Sequence, residues 1–224
     1  MNAEDTAFAQ QYEVMIDTPA VTDTNEDIFL IRHGFSEFNK KHLVLKKDGG
    51  KDDERWTALK GNTDVIDAPL AAIGVHQALV NAPKLVDLNI TRVMVSPMRR
   101  ALQTAIHMFK SHPNLDKMQF LVVPHCHEIM HTSNDIPMDV YQLIKHFAHG
   151  EAVCEGLKFD FSWLLHYGTP QAWSVLSLTN SAKQAQILSK LEHGFSHDDF
   201  VKVTLEAFMS CKTYETDYDI YNRG

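Results

Sequence analysis

The sequence predicts an α/β fold with a mainly parallel sheet, and three observations predict it. The run Ile28-Phe29-Leu30-Ile31 has no polar break, which is how a strand buried on both faces reads. It stops at Arg32-His33-Gly34, so a cation, an imidazole and a glycine stand where the carboxyl end of that strand would be. In open α/β sheets, ligands bind at that end. Val93-Met94-Val95 is a second apolar run, followed by a Ser96-Pro97 turn and a helical segment from Arg100 onward. The chain has 224 residues, enough for one α/β domain with a sizeable core.

Taken in order, residues 1–27 hold several acids and no basic residue, the wrong composition for a secretory or transit peptide. They read as a flexible N-terminal leader, with a single domain over 28–224. Within Arg32-His33-Gly34, Arg offers a planar fork of donors suited to phosphate and His can act as a nucleophile. Gly34 allows a close backbone approach to a ligand, or a positive φ. Lys40 to Arg55 is rich in charge and contains Gly49-Gly50, so it reads as a solvated, mobile connection. Asp67-Ala68-Pro69-Leu70-Ala71 leads into a helix over about 72–85, with Ile73, Ala78 and Leu79 facing inward. Ala71 has no hydroxyl with which to cap that helix.

Arg100 falls in the first turn of the helix after the second strand. A cation there is disfavoured by the helix dipole unless an anion is bound nearby, so Arg100 reads as an anion ligand. Arg99 reads as a surface charge. Phe120-Leu121-Val122-Val123 is a further short strand, and Glu128 lies just beyond it. Helical periodicity follows over 140–148, 183–191 and 200–208, around an aromatic stretch from Leu157 to Trp173 that reads as core or cover.

The composition narrows the function. The net charge of -8 argues against non-specific nucleic-acid binding. No run reaches the length of a membrane-spanning helix. Cys126, Cys154 and Cys211 are widely spaced, form no metal-type pair and suit a reducing, cytoplasmic compartment. Neither a structural metal nor a cofactor is expected.

The motifs resemble those of the histidine phosphatase superfamily, also called phosphoglycerate mutase-like. The matching residues are Arg32-His33-Gly34 with Ser36 and Asn39, then Asp67-Ala68-Pro69-Leu70 with Gly74, Gln77 and Ala78, then Ser96-Pro97-Met98-Arg99-Arg100-Ala101 with Thr104 and Ala105. Phe35 and Ala71 depart from the usual pattern. Glu128 falls where many members carry an acid, and Asn134-Asp135 echoes an Asp of some branches. The resemblance covers 28 to about 135. It implies a three-layer α/β/α fold and phosphoryl transfer from a phosphomonoester, either a small molecule or a phosphoprotein. In those roles His33 is the nucleophile, Arg32 and Arg100 cradle the phosphoryl group, Ser36 and Asn39 lie at the pocket rim, and Glu128 protonates the leaving oxygen. A phosphatase is favoured over a mutase.

A second catalytic histidine, on a late strand in this family, has no match. Two readings stand. In one, Glu215 to Gly224 is the helix that precedes that strand, so the domain lacks its last core strand. In the other, residues 174–182 are the late strand, with Asn180 in place of the histidine. Without a second imidazole, a non-catalytic phosphate-binding or scaffold protein is the alternative to an enzyme.

Overall fold

The computed structural model describes residues 1–17, 28–49, 54–148, 156–167, 169–178, 180–210 and 214–215. Ten α-helices and three strands are described. In chain order they are α1 (Ala3–Gln11), α2 (Glu37–Lys47), α3 (Glu54–Lys60), α4 (Ala72–Asn81), β1 (Arg92–Val95), α5 (Arg99–Phe109), β2 (Gln119–Val122), α6 (Val140–Ala148), β3 (Phe159–Asp160), α7 (Ser162–Leu165), α8 (Trp173–Leu176), α9 (Ser181–Leu188) and α10 (His197–Met209).

The fold is α/β, and the described sheet is parallel throughout in the order β1-β2-β3. Val93 pairs with Phe120 and Val95 with Val122, and Phe120 pairs in turn with Phe159. The main core gathers Val95, Phe120 and Val122 from the strands with Ala78 of α4, Leu102 and Phe109 of α5, and Leu143 and Phe147 of α6. Phe120 and Phe159 meet edge to face, a favoured geometry for rings on neighbouring strands. A second core joins Val175, Ile187, Phe200 and Phe208 of α8 to α10 with Met130 and Ile136. Since β1 and β2 are parallel, the segments carrying Arg100 and Glu128 both leave the sheet at one end, the carboxyl end of the strands.

Several expectations are corrected. Ile28 to Ile31 is not a strand: it is irregular, with Ile28 78% and Leu30 96% exposed. An apolar run becomes a strand only when a neighbour takes up its backbone groups, and no described strand lies beside this one. Lys40 to Lys47 is helix α2, not a loop; Ser36 and Asn39 form a capping box at its start. Within β1, Met94 is exposed, because one strand face is left uncovered. Leu79 is likewise exposed, while Ile73 and Ala78 are buried as expected.

The N-terminal segment contains α1, which is tied down by a Lys40–Asp5 ion pair of 3.2 Å and a Phe8–Phe35 ring contact. Residues 18–27 of that segment lie outside the described residues, as do 50–53 of the charged connection. The expected helix from Glu215 to Gly224 also lies outside them, apart from Glu215 itself. Residues 173–176 are helix α8, and Asn180 caps α9 by accepting from Lys183 N. The reading of 174–182 as a late strand is therefore overturned.

Candidate active site

His33 is placed by three elements that the sequence separates widely. Gly34 N donates to Thr104 Oγ1 at 3.0 Å, and Thr104 Oγ1 donates to Arg100 O one turn earlier in α5. This short relay sets His33 beside Arg100. Phe35 N donates to Gln77 Oε1 at 2.7 Å, Ala71 N donates to Phe35 O, and Ser36 bridges to Leu70. The Gly34-Phe35 backbone thus lies flat on the start of α4. A Cβ on Gly34 would sit 2.6 Å from Gly74 O, and one on Gly74 would sit 2.1 Å from Phe35 O. Both glycines are required for helix and loop to touch, so Gly34 serves an approach to protein backbone rather than to ligand.

The start of α5 is held in a way that its own sequence does not announce. Met98, its N-cap residue, supplies no side-chain bond. Buried Asp67 does so from a distance: its carboxylate accepts from Arg99 N at 2.8 Å and from Met138 N at 3.2 Å. Asp67 has φ 41°, a backbone conformation that Asp tolerates better than most residues. Arg99, expected as a surface charge, donates instead to the carbonyls of Asp67 and Ile66.

Arg100, 2% exposed, forms the centre of the site. Its Nε donates to His33 Nε2 at 3.2 Å, one terminal nitrogen donates to Asn134 O at 3.1 Å, and the other lies 3.5 Å from Glu128 and 3.9 Å from Asp135. These carboxylates offset the cost of a buried cation in a first helical turn. His33 Nδ1 lies 2.8 Å from Gly34 O. A carbonyl can only accept, so the ring proton sits on Nδ1 and Nε2 carries the lone pair. Burial, and then Arg100, lower the His33 pKa to about 4, so the ring is neutral near pH 7. Burial raises the Asp135 carboxyl to about 6, against the pull of Arg100.

A cavity of about 570 Å³ opens over these groups and brings together Arg32, His33, Asn39, Arg100 and Glu128. Arg32 is exposed at its edge. Glu128 is 45% exposed and turned toward Arg100. Asn39 Oδ1 accepts from Ser36 N and Oγ, and Asn39 lines the cavity. Ser36, expected at the rim, is corrected: it is fully buried and caps α2, because its hydroxyl is the nearest acceptor for Asn39 N.

Phe38, Trp56, His131, Thr132 and Glu215 also line the cavity, and sequence reasoning does not single them out for it. They come from helix faces, a loop and the far end of the chain. His127-Glu128-Ile129-Met130-His131 has the His-x-x-x-His spacing that on a helix would face two imidazoles to one metal. Here the segment is not helical. His127 is buried, with its ring nitrogens against Glu128 O and Ser177 Oγ, while His131 faces the cavity. His127 therefore anchors the backbone of Glu128. Among the described residues no group of three or more His, Cys, Asp or Glu could hold a metal ion.

A half-buried imidazole and a buried guanidinium thus meet beside a parallel sheet, the kind of position where open α/β sheets bind ligands. The family model of the histidine phosphatase superfamily (branch 1) matches residues 28–129, the same superfamily that the motifs resemble. That range takes in Arg32, His33, Asn39, Arg100 and Glu128. No curated protein and no solved structure matches the chain. Among the described residues no helix is long and apolar enough to cross a membrane.

Proposed function

We propose that the chain is a phosphatase acting on phosphomonoesters through a phosphohistidine on His33. The observation that carries this reading is that His33 and the buried Arg100 line one cavity, with His33 Nε2 3.2 Å from the guanidinium. Nε2 attacks phosphorus, the bond to the ester oxygen breaks, and Glu128 gives that oxygen a proton. Water then attacks the phosphohistidine and gives a proton back to the Glu128 carboxylate, and the P–N bond breaks to release inorganic phosphate and free His33. Arg100 and Arg32 offset the charge that builds on the phosphoryl oxygens, and Asn39 offers them an amide donor. The substrate is a phosphorylated small molecule or a phosphoprotein, and the scattered cysteines fit a cytoplasmic setting. One domain over 28–224 is part of the same reading.

A second reading, a non-catalytic binder of phosphate ligands, is favoured by one contact. Arg100 Nε already engages the lone pair that would attack phosphorus. Turnover of 4-nitrophenyl phosphate, measured with a His33→Ala control, separates the two. Turnover lost in the control, together with acid-labile radiolabel trapped on the wild-type chain, is the result expected. Phosphate binding with no turnover supports the second reading, and turnover that survives His33→Ala overturns the first.

A further inference from the structure

The cavity over His33 has two unlike walls. One carries the charges. The other is built from Phe38 of α2, Trp56 of α3 and Ile129. The Trp56 ring is held by two tilted ring neighbours: its centroid lies 5.1 Å from that of His42 and 6.4 Å from that of His131. A rigid indole at a cavity wall is a platform for a flat ring, since stacked and tilted ring pairs attract beyond simple burial. The charges point the same way. Arg32 and Arg100 line the cavity against the carboxylates of Glu128, Asp135 and Glu215. The Arg100 guanidinium is already shared among Asn134 O, Glu128 and Asp135. One phosphoryl group can draw on the two guanidiniums. Among the described residues lining the cavity, a second anionic group on the same ligand would meet carboxylates and no third arginine or lysine.

We propose that the ester group of the substrate is an uncharged planar ring that packs on Trp56, and that esters with a second anionic group are excluded. This rests on the preceding reading of the site as a phosphomonoester site. It also disfavours the carboxylate-bearing phosphoesters that a phosphoglycerate mutase would use. A cavity of about 570 Å³ is of the size that holds a phosphoryl group and one ring.

Binding of non-hydrolysable phosphonates tests the proposal without requiring turnover. Calorimetric titrations would use methylphosphonate, benzylphosphonate, phosphonoacetate and 3-aminopropylphosphonate. Benzylphosphonate should bind about tenfold more tightly than methylphosphonate, and phosphonoacetate no more tightly than methylphosphonate. Trp56→Ala should bring the benzyl-to-methyl ratio close to one. Trp56→Phe should keep most of the ratio, which separates loss of a stacking surface from loss of the fold. Equal binding of the benzyl and methyl compounds overturns the ring assignment while leaving the phosphate site standing. Tighter binding of phosphonoacetate or of the aminopropyl compound than of benzylphosphonate overturns it as well. No binding of any of the four overturns the phosphate-site reading and this proposal with it.

Discussion

Two apolar runs flank the same imidazole, and they meet different fates. Val93 to Val95 forms β1, pairs residue for residue with β2, and delivers Arg100 two residues into α5. Ile28 to Ile31 leads directly into Arg32 and His33, yet it pairs with no described strand and leaves Leu30 almost fully exposed. The two runs are equally apolar. They differ in what lies beside them. β1 has β2 on one side and α5 above it, so its backbone groups are bonded and Val95 is buried. His33 is nonetheless placed, because Thr104, Gln77 and Gly74 hold Gly34 and Phe35 from the other direction. Position at this site is supplied by α4 and α5 rather than by the apolar run that precedes it.

If this is so, the two arginines should not weigh equally. Arg100 is buried and held by four partners, whereas Arg32 is exposed. Arg100→Ala should lower turnover by about 10²–10³, the usual loss for one preorganised donor. Arg32→Ala should lower it by about tenfold, the low end for a bond to a charged group. Steady-state kinetics of both variants check this, and equal losses would mean that both approaches to His33 are equally ordered.

The runs should also differ in stability. Val95→Ala removes buried methyl groups from β1 and should cost about 1.5–3 kcal/mol in urea unfolding. Leu30→Ala should stay within about 0.5 kcal/mol. Amide exchange should be slow at Val93 and Val95 and fast from Phe29 to Ile31. A cost above about 1.5 kcal/mol for Leu30→Ala would show that this run is buried in solution after all.

The smallest effect is on the titration of His33. Burial is the leading cause of its low pKa, Arg100 the next and Arg32 a lesser one. Followed by NMR, Arg100→Ala should move the imidazole from about 4 back toward 6.5 by more than Arg32→Ala does. The linkage has a definite sign. An unfolded chain protonates this ring near 6.5, before the folded chain does. The stability due to keeping it neutral is therefore present above pH 6.5 and lost as pH falls toward about 4. Arg100→Ala should flatten that part of the stability–pH curve. A His33 that titrates near 6.5 in the wild-type chain would contradict the burial described here.

Part of the site was legible in the sequence. Arg32 and His33 stand where an apolar run breaks, Arg100 stands in a first helical turn, Glu128 was marked by the family resemblance, and all four line one cavity. The helices from Ala72, Arg99 and Val140 and the 200–208 part of α10 follow from periodicity, helped at the first two by Pro69 and Pro97. Ser36 and Asn39 were legible as a pair, but their capping of α2 shows only once that helix exists, since the Ser-x-x-Asn spacing serves a cap and a ligand equally well.

Other features needed the tertiary structure. Whether an apolar run becomes a strand depends on a partner that the run does not encode, which is why Ile28 to Ile31 and Val93 to Val95 read alike and fold differently. Asp67 caps a helix that begins more than thirty residues later, so no local cap motif reveals it. Trp56, His131 and Glu215 reach the cavity from a helix face, a loop and the far end of the chain. Local sequence determines the conformations a segment prefers and the chemistry it carries. Long-range packing decides which backbone groups find partners and which side chains share a wall, because those contacts form between segments that have no signal in common.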